Sequence, residues 1–235
     1  MNILITGTSS GIGEAMAAYY LENGHQVFGI SRRENDFLNG FPSFHFLSQD
    51  LTLFDYLEGN VKKFLKPVAQ LDRVILNAGY LNEIRDMKDT DLESMKRAMD
   101  INVWSNKLLL DILISSVHQI DQVVAISSGV AVNGSRGWNG YAISKAALNM
   151  LIQLYAAENP GIHFTSLAPG IIDTRMQDYI ASISEDEAFP VIQNLKKVKG
   201  TPHMPGPEEA APQLAKAIEK IQQYRSGSFI DIREI

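Results

Sequence analysis

The chain has 235 residues, no cysteine, and 27 acidic against 21 basic side chains, for a formal net charge of −6. Such a length buries roughly three quarters of the unfolded surface without a staple; the missing cysteine excludes disulfides, thiolate metal sites and a cysteine nucleophile, and the acidic balance argues against a nucleic-acid partner. No apolar run approaches the ~20 residues of a membrane span, and the start Met1-Asn2-Ile3-Leu4-Ile5-Thr6 lacks the basic flank of a signal peptide, so no membrane contact and a cytoplasmic location are expected.

Residues 3–5 predict a short first strand. A helix over 11–22 follows, with Ile12, Ala15, Met16 and Tyr19 as its apolar positions, and ends near Asn23-Gly24. Strands are predicted over 26–31 and 43–47, a helix over 53–65, and a fourth strand over 72–76 that stops at Asn77-Ala78-Gly79. A long helical stretch over 91–117 carries a bend near Asn102. A fifth strand over 122–127, a long helix over 139–159 and a sixth strand over 162–167, stopped by Pro169-Gly170, come next. Residues 171–207 read as irregular, followed by a helix over 207–223 and a last strand over 228–232.

Strands alternating with helices imply right-handed βαβ crossovers and a parallel sheet. The strands are continuously apolar, as expected when helices cover both faces. With no linker or repeat, 1–235 is expected to be one doubly wound Rossmann-type α/β domain with a seven-stranded parallel sheet. The helices over 107–117 and 141–157 are apolar most of the way round, and such a helix is buried all round. That predicts a homodimer or homotetramer through the helices near 102–117 and 141–158. The alternative is cover by the chain's own 171–207 segment.

The loop Thr6-Gly7-Thr8-Ser9-Ser10-Gly11-Ile12-Gly13 joins the first strand to the first helix. Helix-start N–H groups and the helix dipole attract phosphate, and glycines let a dinucleotide backbone approach. Its spacing is G-x-x-x-G-x-G rather than G-x-G-x-x-G. The second strand ends Ser31-Arg32-Arg33, without the acid that would select NAD. Arg32 and Arg33 offer charge-assisted partners to a 2′-phosphate, so NADP(H) is favoured over NAD(H). Glu34 and Asp36 are the acids that could occupy this pair instead.

Tyr141 and Lys145 are four apart at the start of a helix and share a face. A nearby ammonium lowers a phenol's pKa, so Tyr141 is expected to exchange protons near neutrality. Ser128 ends the fifth strand, 13 residues before Tyr141. In doubly wound sheets ligands sit beyond the carboxyl ends of the strands, so the motifs at the ends of strands one, four, five and six are expected to share one crevice.

Taken together and in order, Thr6-Gly7-(3)-Gly11-Ile12-Gly13, Asp50-Leu51, Asn77-Ala78-Gly79, Asn102, Ser128, Tyr141-(3)-Lys145 and Pro169-Gly170-(3)-Thr174 resemble the short-chain dehydrogenase/reductase family. The resemblance implies Tyr141 as acid/base and Ser128 as the residue that holds the substrate oxygen. It also implies Lys145 on the nicotinamide ribose and Asn102 holding a water that relays protons to Lys145. It places Ser9, Ser10 and Ile12 with the glycines on the cofactor, Asp50 and Leu51 on adenine, and Asn77, Ala78 and Gly79 on the adenosine side. Pro169, Gly170, Ile172 and Thr174 fall on the nicotinamide side. Leu76 stands where many members have asparagine. Ser10 stands where some NADP-dependent members have a base, which leaves the 2′-phosphate to Arg32 and Arg33.

The run Asp173-Thr174-Arg175-Met176-Gln177, Phe189 with the lysines after it, and the ending Phe229-Ile230-Asp231 resemble the sepiapterin reductase and benzil reductase branch. There an aspartate near the C-terminus anchors substrate, and Asp231 matches its place. Trp138 is a candidate for stacking on a planar substrate; Met176, Met204 and Tyr80 are further pocket candidates. Residues 174–206, with an acidic stretch over 182–188, are expected to form a lid. The five histidines are scattered, and no metal is expected. The function so implied is NADPH-dependent hydride transfer to a small ketone, diketone or pterin-like carbonyl. The alternatives are an alcohol dehydrogenase running oxidatively and a non-catalytic NADP(H) sensor, which would have no need of the Asn102, Ser128, Tyr141 and Lys145 set.

Overall fold

A computed structural model describes residues 1–184 and 188–235. The strands are β1 (Asn2–Thr6), β2 (Gln26–Ser31), β3 (Phe44–Ser48), β4 (Gln70–Leu76), β5 (Gln119–Ile126), β6 (His163–Ala168) and β7 (Ser228–Asp231). They form one seven-stranded sheet in the order β3-β2-β1-β4-β5-β6-β7, and every pairing is parallel. The chain begins mid-sheet, winds to β3, then returns past β1 to start β4. The order therefore reverses between β1 and β4, and a crevice opens at their carboxyl ends.

Alternate strand residues feed two opposite cores. Leu4, Val74, Leu76 and Val123 pack against α3 (Phe54–Leu65), α5 (Ser105–Ser116) and α6 (Asn139–Glu158) through Leu57, Leu109, Leu113 and Leu148. Ile3, Ile5, Ile75 and Val124 pack against α1 (Gly11–Glu22) and α9 (Pro207–Lys220) through Met16, Tyr20, Leu214 and Ile218. Truncating any of these fully enclosed leucines or isoleucines to alanine costs about 2–5 kcal/mol. Both faces of the sheet are covered, which is why the strand centres are mostly apolar, although Arg73, Gln122, Thr165 and Ser166 are also buried there. Among the described residues no helix is long and apolar enough to cross a membrane.

Two local features depart from the sequence expectations, and a third gives an expected bend its form. Asn35 caps a short helix, α2 (Asp36–Asn39), by accepting from the Leu38 N–H, where no element was expected. The long stretch over 91–117 is α4 (Leu92–Met99) and α5 joined by a π-turn, Asp100–Trp104, which is the bend expected near Asn102. Residues 171–207 are not irregular: they contain α7 (Arg175–Ser182) and α8 (Pro190–Val198). Neither has a side-chain cap to announce it. Each holds its place by packing Ile180, Ile192 and Leu195 onto Trp138 and Tyr141. Part of the acidic stretch over 182–188, residues 185–187, lies outside the described residues.

These two helices sit at the N-terminal end of α6 and leave its outer face bare. Ile143, Met150 and Leu154 are 44%, 54% and 53% exposed. Cover of that face by the chain's own 171–207 segment is therefore not what the structure shows.

Candidate active site

The glycine loop shapes the floor of the crevice. Gly7 has φ +79°, a region that favours glycine, and a Cβ on it would lie 3.0 Å from the Ala78 Cα. Gly13 allows α1 to pack on the turn, since a Cβ there would come within 2.3 Å of the Gly7 carbonyl oxygen. Gly11 (φ +64°) faces open space bounded only by the Thr174 side chain, 3.5 Å away. Ser10 at the N-cap of α1 makes no side-chain capping bond, and the Thr8 hydroxyl oxygen is buried without a partner. Asn77 stitches the β4 turn to the β1 turn: its Nδ2 donates to the Thr6 carbonyl over 2.9 Å, while the Thr6 hydroxyl accepts from the Asn77 and Ala78 N–H groups.

One cleft of about 430 Å3 runs from this loop to the end of α6. It is lined by Gly7, Ser9, Ser10, Gly11 and Ile12, by Arg32, Arg33, Asp50 and Leu51, and by Asn77, Ala78 and Gly79. Ser128, Trp138, Tyr141, Lys145, Pro169, Gly170, Ile172, Thr174 and Met176 complete it. Arg97 and Arg175 also line it and were not singled out by sequence, because Arg97 belongs to no motif and Arg175 fills the variable position of the Asp-Thr-x-Met-Gln run. Five basic side chains thus meet one carboxylate, Asp50, in a chain that is acidic overall. Burial works to raise the Asp50 carboxyl, but bonds from Thr52 and the charges of Arg32 and Arg97 hold it below the ordinary range. Among the described residues Arg32 and Arg33 enter no ion pair, so Glu34 and Asp36 do not occupy them.

A free N-terminal turn, an open glycine path and unpaired guanidiniums fit an elongated polyanion such as a nicotinamide dinucleotide. Gly7, Gly11 and the start of α1 would hold its pyrophosphate. Arg32 and Arg33 line the same cleft beyond the carboxyl end of β2.

At the other end, β5 delivers two serines with different tasks. Ser127 is buried and donates to the Asn149 side chain over 2.6 Å, while Ser128 faces the cleft and Tyr141. Lys145 donates from Nζ to the Ile126 carbonyl over 2.7 Å. Gly79 lies beside this cation: a Cβ there would be 3.5 Å from Lys145 Nζ and 3.6 Å from Asn102 Oδ1, both ordinary contacts. Asn102 sits on the π-turn, fully buried, and exchanges bonds with the Tyr80 backbone N–H and carbonyl over 2.8 and 2.9 Å. Its Nδ2 also donates to the Ser144 hydroxyl, which donates to the Tyr141 carbonyl, both over 2.8 Å. The π-turn thereby ties the β4 loop to the first turn of α6.

The electrostatics correct one expectation. Lys145 was expected to lower the Tyr141 phenol toward neutrality. Instead burial pushes that phenol up to about 12, and only the Ser128 hydroxyl pulls the other way. Burial also lowers Lys145 to about 8. Spacing along a helix fixes a shared face; it says nothing of the water removed from both groups, and here desolvation dominates. Such a phenol is neutral at pH 7 and is a proton donor.

The substrate candidates divide. Trp138, Met176 and Tyr80 line the cleft, with Arg97 stacked 4.9 Å over the Tyr80 ring. Met204 and Phe189 are buried in the cluster around Trp138. Asp231 lies beside Gly129, the residue after Ser128, where a Cβ would come 3.8 Å from its Oδ2; its carboxylate accepts from the Arg233 backbone N–H and is gripped by the Arg233 guanidinium. Among the described residues no group of three or more His, Asp or Glu side chains could hold a metal ion.

This geometry is that of an oxidoreductase site at a doubly wound switch point. The model of the short chain dehydrogenase family matches residues 1–184. A benzil reductase ((S)-benzoin forming) from Bacillus subtilis is 30% identical over 243 residues, covering 98% of each chain. Sepiapterin reductase from Rattus norvegicus is 28% identical over 256 residues, covering 99% of this chain and 96% of that one. The crystal structure of a short chain dehydrogenase/reductase from Saccharomyces cerevisiae shares the fold with a TM-score of 0.87 at 24% identity, over 98% and 95% of the two chains. The chain belongs to the short chain dehydrogenase family, whose enzymes interconvert CH–OH and C=O with an NAD(P) cofactor.

Proposed function

We propose that this chain is an NADPH-dependent carbonyl reductase acting on a small ketone, diketone or pterin-like carbonyl. One observation carries it: Ser128, Tyr141 and Lys145 line the same cleft as the glycine loop and the unpaired Arg32 and Arg33. When bound, the nicotinamide dinucleotide supplies the hydride.

The protein's part is binding, orientation and a proton. The helix start and the two arginines hold anionic groups at one end, which favours NADPH over NADH. Ser128 donates to the substrate carbonyl oxygen and fixes it beside the Tyr141 hydroxyl. Tyr141, kept neutral by burial, gives its proton to that oxygen as negative charge develops on it. Lys145, anchored on Ile126, stabilises the phenolate left behind. The Asn102–Ser144–Tyr141 chain of hydrogen bonds positions the first turn of α6.

Helices α7 and α8 act as the lid, with Ile180 and Ile192 closing over Trp138. The exposed Ile143, Met150 and Leu154 stripe of α6 is the contact of a homodimer or homotetramer. A carbonyl panel monitored by NADPH absorbance tests the activity; binding of NADPH with no oxidation across ketones, diketones and pterins overturns it in favour of a sensor.

A further inference from the structure

Arg175 is a cation that the chemistry above does not use. It opens α7 and lines the cleft, yet among the described residues it enters no ion pair. The acids nearest it in the chain, Asp173 and Asp178, are both held by Lys199. A positive side chain in the first turn of a helix meets the positive end of the helix dipole, so this placement works against α7. Arg175 is exposed, and burial does not offset that repulsion.

The start of α7 abuts the glycine loop. A Cβ on Gly11 would lie 3.5 Å from Cγ2 and 3.8 Å from Cβ of Thr174, the residue just before Arg175. Gly11 begins α1 and Arg175 begins α7, so the N-terminal ends of two helices meet across this gap. Neither N-cap residue, Ser10 or Thr174, makes a side-chain capping bond. Two positive helix ends and one guanidinium therefore border one stretch of the cleft, while Lys199 neutralises the nearest carboxylates. An anion there relieves all three at once. In an elongated dinucleotide the group that passes Gly11 and the start of α1 is the pyrophosphate.

We propose that Arg175 binds the cofactor pyrophosphate from the α7 side, opposite the glycine loop, so that α7 and the α1 turn clamp one anion. The assignment rests on the dinucleotide reading above and adds a residue outside both the glycine motif and the Arg32–Arg33 pair. That pair distinguishes NADPH from NADH, whereas a cation on the pyrophosphate serves both cofactors alike. A guanidinium suits the task, since its planar fork donates two parallel bonds to phosphate oxygens.

Binding titrations test this without turnover. Arg175→Gln is expected to raise the Kd for NADPH and for NADH by the same factor, about 10- to 100-fold. Adenosine 2′-phosphate, which has no pyrophosphate, should bind the variant nearly as it binds the wild type. Arg175→Lys, which keeps the charge, should recover much of the loss, and equal melting of the free proteins excludes a folding defect as its cause. Loss with NADPH alone, equal loss with adenosine 2′-phosphate, or no loss at all overturns the proposal. Hydrogen exchange gives an independent readout. Saturating NADP+ should slow amide exchange over Arg175–Ser182 in the wild type and much less in Arg175→Gln; equal slowing in the two defeats the idea. A chain that binds both dinucleotides but reduces no carbonyl strikes the reductase reading, while the Arg175 contrast still decides this one.

Discussion

Lys145 Nζ donates to the Ile126 carbonyl over 2.7 Å, which anchors the cation to the carboxyl end of β5 while its charge faces the cleft. Its pKa falls from 10.5 to about 8 because burial strips its water. Between those values the unfolded chain holds a proton that the native protein has lost, so the Lys145 contribution makes stability rise with pH from about 8 to 10.5. Below pH 8 the penalty is fully present. Lys145→Met is expected to gain on the order of 1–3 kcal/mol at pH 7 and to lose that rise. Denaturant unfolding between pH 7 and 10 checks it; a wild-type curve that falls relative to the variant over that span contradicts it.

Tyr141→Phe keeps the ring in its cluster and removes the proton donor. Turnover is expected to fall by about 10²-fold or more, with NADPH affinity little altered, because the arginines and the helix start lie at the other end of the cleft. Stopped-flow hydride transfer and NADPH fluorescence titration separate the two effects.

The unpaired Arg32 and Arg33 predict cofactor choice. Replacing both by alanine is expected to raise the KM for NADPH about 10- to 100-fold, the worth of charge-assisted hydrogen bonds, and to leave the KM for NADH nearly constant. Parallel loss with both cofactors would show that the pair does not read the 2′-phosphate.

Gly13→Ala places a methyl 2.3 Å from the Gly7 carbonyl oxygen and 2.5 Å from Asn77 Nδ2. Both belong to turns that cannot retreat without breaking the Asn77–Thr6 bonds. The variant is expected to lose about 1–3 kcal/mol of stability and most NADPH binding, read by thermal melting and titration. Gly59→Ala, where a Cβ meets nothing within 4 Å, is the control expected to hold.

The bare stripe on α6 predicts assembly. Met150→Glu with Leu154→Glu is expected to convert the oligomer to monomer in sedimentation velocity without unfolding, since both side chains are more than half exposed. A wild-type chain that sediments only as monomer at micromolar concentration removes the premise.

The sequence by itself determined the alternation of strands and helices, because each βα unit has its own local signal. Apolar runs such as Ile3-Leu4-Ile5 mark strands, and Asn77-Ala78-Gly79 or Pro169-Gly170 mark their ends. The helices α1 and α6 were legible for the same reason. The candidate site was legible as a set of positions, since motifs at strand ends must converge once the sheet is parallel. Tertiary structure alone decided what depends on depth and on distant partners. It gave α7 and α8 their helical form, because uncapped segments needed Trp138 and Tyr141 to pack against. It paired Asp231 with Arg233 beside Gly129, and brought Arg97 and Arg175 into the cleft. It also set the proton chemistry. Residues four apart share a helix face in any helix, but only the folded chain removes the water that would have kept Tyr141 and Lys145 at their ordinary pKa values.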